Sequence, residues 1–382
     1  MGDINLISLP IFLLVLSLLV FVHELGHFLA ARWVGVPVEE FGIGFPPRLM
    51  SVVRDPEGKW RVFFGPKAPK FGNASGGVST LYSLNALPLG GFVRPAGEED
   101  PTVPGGFSSA SKRARIIVLV AGPLFNLIFA FVVFAAGFMI GWPETQADKV
   151  SVSVVVEGGP AYVAGLQPKD IIVRAGEQTI TTYQQVSEYI RSHLGEAIVF
   201  MVERDGQLVE LTITPRTEWP EGQGPTGIVL GAPYVVTRYP LPQAATRAGQ
   251  EMYAQFDALL HLPGFIARQI QQQAPLDAAR PCGPKCLYDV TDAAIVTAQR
   301  EQAAFPIVQL IGLVSVALAI TNLLPIPALD GGRILFVLIE AIRGRRMDPM
   351  REAMVNMVSM MLLLGLMAVI TINDFVNPII QR

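Results

Sequence analysis

The stretch His23-Glu24-Leu25-Gly26-His27 stands at the end of a long apolar run, and the interpretation of the whole chain starts from it. Residues Leu6–Val22 before it are almost wholly apolar, as in a membrane-spanning helix. Ionisable side chains in such a segment are costly, so they are candidates for a functional site. On a helix, His23 and His27 lie one turn apart on one face, which lets both bind one zinc ion with Glu24 beside the metal's water. The alternative is a chance match, with two histidines at the membrane-surface end of a helix.

The composition indicates a membrane protein. Of the 382 residues, 51% are hydrophobic and 16% are charged, whereas soluble domains carry about 25% charged residues. The net charge of −3 argues against nucleic acid as the main partner. Four stretches approach the roughly 20 residues that a helix needs to cross a bilayer core: Leu6–Val34, Ile116–Trp142, Phe305–Leu324 and Ala353–Ile372. The first span carries the histidines and lacks a basic leader, so we expect it to be retained rather than cleaved.

Basic residues predict the orientation of these spans. Arginine and lysine are frequent in residues 35–112 and 343–352 and absent from the N-terminal leader. Because short basic segments stay in the cytoplasm, both termini and residues 143–304 are predicted to be extracytoplasmic. The first and third spans then run in the same direction. His23 lies roughly 26 Å along the first span, near the cytoplasmic side.

The third span ends in a break, Asn322-Leu323-Leu324-Pro325-Ile326-Pro327-Ala328-Leu329-Asp330-Gly331. Pro325 and Pro327 prevent a regular helix there, and Asp330 reaches a depth similar to that of His23. A catalytic zinc site needs three protein ligands and one open position, so we expect Asp330 to be the third ligand. Asp330 could instead be a turn aspartate before two glycines. The acids that compete for this role do not follow a break in an apolar span: Glu39, Glu40 and Glu340.

Composition shifts divide the chain into seven predicted segments. These are a first transmembrane helix with the zinc motif (1–34), a cytoplasmic-side β-hairpin region (35–112), a second transmembrane helix (113–142), a compact α+β domain (150–233), an extracytoplasmic amphipathic segment (234–304), a third transmembrane helix with the ligand loop (305–342) and a fourth transmembrane helix (351–375). Within the β-hairpin region, alternating runs predict short strands, including Trp60–Phe64 and Gly76–Leu81.

The predicted domain 150–233 combines four strands with a helix near Tyr183–His193, and Asp205-Gly206 predicts a hairpin turn. This pattern resembles a PDZ domain. PDZ domains bind peptides by adding a strand to a sheet edge, but a domain that only blocks access is an equal alternative.

After this domain, Gln243–Gln273 has helical composition with an apolar face, which we expect on the outer membrane surface or against the domain. Cys282 and Cys286 predict a short disulfide loop on the oxidising side, with a second zinc site or free thiols as alternatives.

Several motifs together resemble the site-2 protease family (peptidase family M50), specifically its bacterial RIP zinc metalloproteases of the RseP type. The motifs that carry the resemblance occur in the family's order along the chain: His23–His27, Phe41–Phe45, Gly90–Val93, Ala121–Asn126 and Asn322–Gly331. All five in order are highly specific, and the resemblance covers nearly the whole chain apart from about 243–300. Two features depart from the family: only one PDZ-like unit is recognisable, and a Cys-Gly-Pro-Lys-Cys loop replaces a Gly-Pro-Val-Gly-like stretch.

The resemblance implies a polytopic α-helical membrane protein with four transmembrane helices, a membrane-associated β-hairpin region and one extracytoplasmic PDZ-like α+β domain. It also implies one Zn2+ per chain, bound by His23, His27 and Asp330, with Glu24 as the general base. The residues expected to bind substrate or support the site are Asn322, Pro325, Pro327, Gly90, Gly91 and Asn126.

The expected function is zinc-dependent intramembrane cleavage of single-span membrane proteins, such as an anti-sigma factor or remnant signal peptides. The expected location is the bacterial cytoplasmic (inner) membrane, with the lipid bilayer as a partner and a site-1 protease acting earlier in the same pathway. One alternative is a non-catalytic zinc-containing scaffold or quality-control binder that uses its PDZ-like domain. A transporter is a weaker alternative because the sequence has no repeated halves.

Overall fold

The computed structural model describes residues 8–67, 79–98, 100, 102–220, 223–271 and 281–378. These residues form nine helices: α1 (Ser8–Trp33), α2 (Lys112–Ile140), α3 (Pro160–Val163), α4 (Tyr183–Ser192), α5 (Leu241–Gln271), α6 (Pro284–Glu301), α7 (Phe305–Leu323), α8 (Asp330–Arg343) and α9 (Pro349–Val376). They also form eleven strands: β1 (Val38–Arg54), β2 (Trp60–Phe64), β3 (Leu81–Pro95), β4 (Trp142–Thr145), β5 (Val150–Val155), β6 (Ile171–Ala175), β7 (Gln178–Thr179), β8 (Ile198–Arg204), β9 (Gln207–Ile213), β10 (Ile228–Gly231) and β11 (Tyr234–Thr237).

The chain divides into two compact units. One comprises Met1–Ile140 and Tyr239–Arg382, and the other comprises Gly141–Arg238. Among the described residues, four helices of the first unit are long and apolar enough to cross a membrane: α1, α2, α7 and α9. Four spans were predicted from the sequence, and four such helices are present.

Small residues allow the spanning helices to pack closely. A Cβ atom on Gly26 of α1 would lie 2.4 Å from the carbonyl oxygen of Ala121 on α2. A Cβ atom on Gly312 of α7 would lie 2.3 Å from the ring of Phe134, also on α2. Helices in a membrane associate through such close backbone approach, because lipid gives them little hydrophobic drive to pack. α2 is therefore packed between α1 and α7.

The segment between α1 and α2 folds into a three-stranded sheet of order β2-β1-β3. β1 is antiparallel to both neighbours, and Phe41 in its first half pairs with both Val93 and Tyr82 of β3. β3 therefore bends back on itself beside β1. Gly90 lies at this bend with φ +104°, a conformation that L side chains rarely adopt. Half of the strand predicted for Gly76–Leu81 lies outside the described residues. Ser79 and Thr80 are described but lie outside a strand, and β3 begins at Leu81.

The break after the third span was predicted, but the helix that follows it was not. α7 ends at Leu323, a turn follows, and Asp330 opens the 14-residue helix α8. The prediction for residues 305–342 was a third transmembrane helix followed by a ligand loop, with no second helix. The helix forms because apolar residues recur at helical spacing up to Gly344, which ends it in the left-handed conformation. Asp330 is thus held at the start of a helix.

The described residues between 241 and 301 form two helices of the first unit. α5 packs against α2, where Ala244 and Ala248 are fully buried. Phe256 and Leu260, which belong to the apolar face expected in Gln243–Gln273, are exposed. The end predicted at Gln273 lies outside the described residues.

α6 starts beside a disulfide between Cys282 and Cys286. The buried carboxylate of Asp374, on α9, accepts hydrogen bonds from the backbone N–H groups of Gly283 and Cys286 at 3.0 and 3.3 Å. α6 is therefore the main contact of α9.

The second unit is an α+β fold around an antiparallel sheet of order β10-β5-β6-β8-β9, with β7 paired to β6. Its core includes Ile172, Phe200 and Val202, which are at most 2% exposed. β8 and β9 are joined by the predicted Asp205-Gly206 turn, and both turn residues have positive φ. Two strands outside the predicted boundaries, β4 and β11, pair with each other.

Candidate metal centre

The imidazole rings of His23 and His27 on α1 converge. Their Nε2 atoms are 3.1 Å apart, as expected for residues one helical turn apart on the same face. His23 is only 7% exposed. The side chains therefore meet in an enclosed position within a membrane helix.

Asp330 completes a group of three candidate ligands. Its Oδ2 atom lies 3.0 Å from His23 Nε2 and 3.3 Å from His27 Nε2. The turn that carries it is compact, because Cβ atoms on Gly331 and Gly332 would lie within 2.3 Å of backbone carbonyl oxygens of the break. Among the described residues, these three are the only His, Cys, Asp or Glu side chains grouped closely enough for one metal ion.

The spacing of these atoms fits zinc. Ligand atoms about 2.0–2.2 Å from a tetrahedral zinc ion lie roughly 3.3–3.6 Å from one another. The three observed separations, 3.0, 3.1 and 3.3 Å, come close to this range. Two imidazoles and one carboxylate also form a donor set typical of catalytic zinc.

The outer nitrogens of both histidines have partners on α2. His27 Nδ1 lies 2.8 Å from the Val118 carbonyl oxygen, and His23 Nδ1 lies 3.2 Å from the amide nitrogen of Asn126. When Nε2 binds a metal, Nδ1 carries the proton and must donate it. Val118 can accept that bond directly. Asn126 can accept it once its amide is turned by 180°, because the amide has an oxygen acceptor in place of the nitrogen donor on its other side.

A buried oxygen supports this reading of Asn126. The residue is fully buried, and its Oδ1 atom has no hydrogen-bond partner among the described residues. Turning the amide would give this oxygen the His23 N–H as its donor. The orphaned oxygen is therefore explained if His23 uses Nε2 for a metal.

Gly122 provides room for both imidazoles. A Cβ atom at this position of α2 would lie 2.3 Å from His27 Nε2 and 2.8 Å from His23 Nε2. Both distances are far below van der Waals contact, so any side chain there would displace the rings. Gly122 lies within the motif Ala121–Asn126, but its role in making room for the imidazoles depends on helix packing that the sequence does not reveal.

The candidate base, Glu24, is held by the sheet. Its Oε2 atom accepts a hydrogen bond of 2.9 Å from the backbone N–H of Val93 on β3. A Cβ atom on Gly91 would lie 3.9 Å from Glu24 Cγ, so β3 passes directly beside the carboxylate. This places Gly91 next to the site, and it places Gly90 at the bend that leads to it.

Two of the competing acids are engaged elsewhere. Glu40 is buried and pairs with Arg48 at 2.6 Å and with Arg94 at 3.4 Å. Glu340 pairs with Arg115 and, at 3.5 Å, with Arg346. Neither belongs to the group of three candidate ligands, and neither does Glu39.

The remaining predicted residues lie at the break after α7. Asn322 donates a 3.0 Å hydrogen bond to the Leu318 carbonyl oxygen of its own helix. Pro325 and Pro327 lie in the turn between α7 and α8. No hydrogen bond joins Asn322 to the three candidate ligands in the described part of the chain.

Apolar spanning helices that carry a buried His-His-Asp group define a membrane protein with a candidate metalloenzyme centre. Comparison with known proteins narrows this class. The profile of peptidase family M50 matches residues 11–79 and 59–366, and the chain belongs to that family. Metalloprotease MmpA of Caulobacter vibrioides is 30% identical to the chain over 97% of its length and 95% of the relative's. Zinc metalloprotease RasP of Geobacillus kaustophilus is 27% identical over 96% of the chain and 97% of the relative.

Proposed function

We propose that this protein is a zinc-dependent endopeptidase that cleaves membrane-spanning segments of single-span membrane proteins. The observation that carries the proposal is the grouping of His23, His27 and Asp330 at the end of apolar helices, with Glu24 in the same helical turn. The name of the relative RasP, a zinc metalloprotease, supports the choice of metal. Substrates of this class, such as anti-sigma factors or remnant signal peptides, match a site set within the membrane.

In this mechanism His23, His27 and Asp330 hold one zinc ion. When bound, zinc supplies a Lewis acid for the scissile carbonyl and lowers the pKa of a water molecule to about 7. Glu24 accepts the proton of the attacking water and returns it to the leaving amine. The Val93 N–H orients Glu24 Oε2, so Oε1 is left for proton transfer.

A helical substrate must unwind before its peptide bonds can be attacked, because its carbonyls are occupied by hydrogen bonds within the helix. Non-helical backbone at membrane depth is tolerated only where protein lines it. The turn at Pro325 and Pro327 and the β3 segment at Gly90 and Gly91 offer such a lining, and β3 could receive the substrate as an added strand. In this role Asn322 would exchange its bond to the Leu318 carbonyl for one to the substrate.

We further infer that the unit Gly141–Arg238 is a PDZ-like domain. In this proposal the domain and both termini lie on the extracytoplasmic side of a bacterial inner membrane. A groove of about 490 Å³ lies between α4 and β10 and is lined by Tyr183, Ser187 and residues 228–232. It suits a peptide end left by an earlier site-1 cut.

Ser187→Arg should slow cleavage of a pre-cut substrate if the peptide enters this groove. Unchanged cleavage would favour a domain that only restricts access.

The central experiment uses the full-length protein in detergent micelles with a single-span test substrate. Glu24→Gln should retain about one zinc per chain, measured by mass spectrometry of the metal, and lose cleavage by orders of magnitude. Glu188→Gln, an exposed glutamate of α4, is the matched control and should cleave at the wild-type rate. Wild-type cleavage by Glu24→Gln would refute the mechanism. Zinc binding without any cleavage by the wild type would favour the non-catalytic scaffold.

A further inference from the structure

One face of α1 carries Ser17, Val20 and Glu24 at helical spacing, and β3 runs along this line. Gly90 meets the first two residues. Its N–H donates to Ser17 Oγ over 3.3 Å, and a Cβ atom on Gly90 would lie 2.7 Å from Val20 Cγ1. Further along β3, Val93 N–H donates to Glu24 over 2.9 Å. β3 is therefore fixed to α1 at three successive points that end at the candidate base.

Ser17 is the first polar member of this line, and the other residues from Leu9 to Val22 of α1 are apolar. Its hydroxyl accepts the hydrogen bond from Gly90 and donates one to the carbonyl oxygen of Pro88. A hydroxyl can do both at once. Backbone groups at membrane depth need a partner within the protein, since lipid provides none. One side chain thus satisfies two backbone groups of the β3 bend.

Gly90 makes the close approach possible. Its φ of +104° is open to glycine and strained for other residues, and the adjacent Val20 leaves no room for a side chain. Ser17 and Val20 therefore fix the position of the bend along α1. Val93 follows three residues later, so its distance from Glu24 depends on where the bend is held.

We propose that Ser17 is a positioning residue of the peptidase. It holds the Pro88–Gly90 bend on α1, so that the Val93 N–H keeps the Glu24 carboxylate oriented toward the metal ligands. This inference rests on the proposed function, because it assigns Ser17 an effect on the rate of cleavage. Without the hydroxyl, the bend loses both of its hydrogen bonds to α1, and the segment up to Val93 shifts.

The test compares Ser17→Ala, Ser17→Thr and, as the matched control, Ser359→Ala on α9. In full-length protein Ser17→Ala should lower kcat about tenfold with little change in KM, and Ser17→Thr should recover most of the rate. Zinc content should stay at the wild-type value in all three. The melting temperature should stay unchanged in Ser359→Ala and fall by only a few degrees in Ser17→Ala, because two backbone groups of the bend lose their partner. Hydrogen exchange of the peptide that spans Gly90–Val93 should be faster in Ser17→Ala alone.

Two results would overturn the proposal: wild-type kcat and exchange in Ser17→Ala, or a loss of zinc or of thermal stability that accounts for the lower rate. The proposed function fails by a different result, namely full activity of Glu24→Gln. The exchange measurement does not depend on activity, so it tests the placement of the bend separately.

A paired substitution tests the contact at Val20. Gly90→Ala should reduce cleavage, and adding Val20→Ala should restore part of it by removing the methyl groups that the new Cβ meets. Recovery should stay incomplete, because the positive φ remains strained and alanine keeps the Cβ of residue 20, which lies 2.9 Å from the new Cβ. A double variant no more active than Gly90→Ala would contradict the fixed position of the bend. Gly365→Ala on α9, where a Cβ meets nothing within 4 Å, is the control.

Discussion

Replacing Gly122 with alanine should disable the candidate metal centre although no ligand residue is replaced. The new Cβ would stand 2.3 Å from His27 Nε2 and 2.8 Å from His23 Nε2. Carbon–nitrogen contacts need about 3.4 Å, so one ring or both must move by roughly 1 Å, or α1 and α2 must separate. Displacement of this size typically costs about 100-fold in rate, and loss of ligand orientation costs about 10- to 100-fold in metal affinity.

The assay for Gly122→Ala is zinc content after dialysis against a graded chelator, measured beside cleavage of the test substrate. Separation of the helices would also weaken the fold, by about 1–3 kcal/mol for an overpacked core site. Gly365→Ala controls for the general effect of alanine in a spanning helix. Wild-type zinc affinity and wild-type cleavage in Gly122→Ala would refute the geometry of the site. With both Nε2 atoms this close to Gly122, there is no room for the added methyl group.

Three further outcomes are expected. Asp330→Ala should lower zinc retention by at least about tenfold, because two histidines alone leave the metal without its third protein ligand; unchanged metal content would assign that role to another residue. Asp170→Asn should destabilise the unit Gly141–Arg238 by about 2 kcal/mol, measured by urea unfolding of the full chain. The substitution breaks a bidentate ion pair in which Arg204 donates to the buried Asp170 carboxylate at 2.6 and 2.7 Å. A loss of stability smaller than that of an exposed aspartate variant would contradict this. Reporter tags after Pro220 and Met347 should face opposite sides of the membrane, and tags on the same side would overturn the predicted orientation.

The grouping of the candidate ligands follows largely from the sequence. Helical spacing brings His23 and His27 together, and the shared direction of the first and third spans brings Asp330 to their depth. These inferences needed only the rise of a helix and the distribution of charge. The break at Pro325 and Pro327 could also be predicted from local sequence, because proline cannot continue a regular helix.

The partners of the ligands could not be predicted in the same way. Val118 and Asn126 reach the histidines only because Gly26 lets α1 approach the backbone of α2. The sequence of either helix alone does not determine how the two helices are rotated against each other. The role of Gly122 depends on the same approach. Helix α8 was missed for a different reason: its apolar spacing was present, but the two glycines after Asp330 suggested a turn.

The three candidate ligands come from parts of the chain that are synthesised far apart in time. His23 and Asp330 are separated by 307 positions. At about 5–20 residues per second, the ribosome needs roughly 15–60 s to pass from one to the other. A nascent chain therefore holds its histidine pair in the membrane long before the carboxylate arrives. Under the proposed ligand set, a chain that stops before α8 lacks one of its three zinc ligands, so truncated copies and copies still being synthesised should not cleave their neighbours.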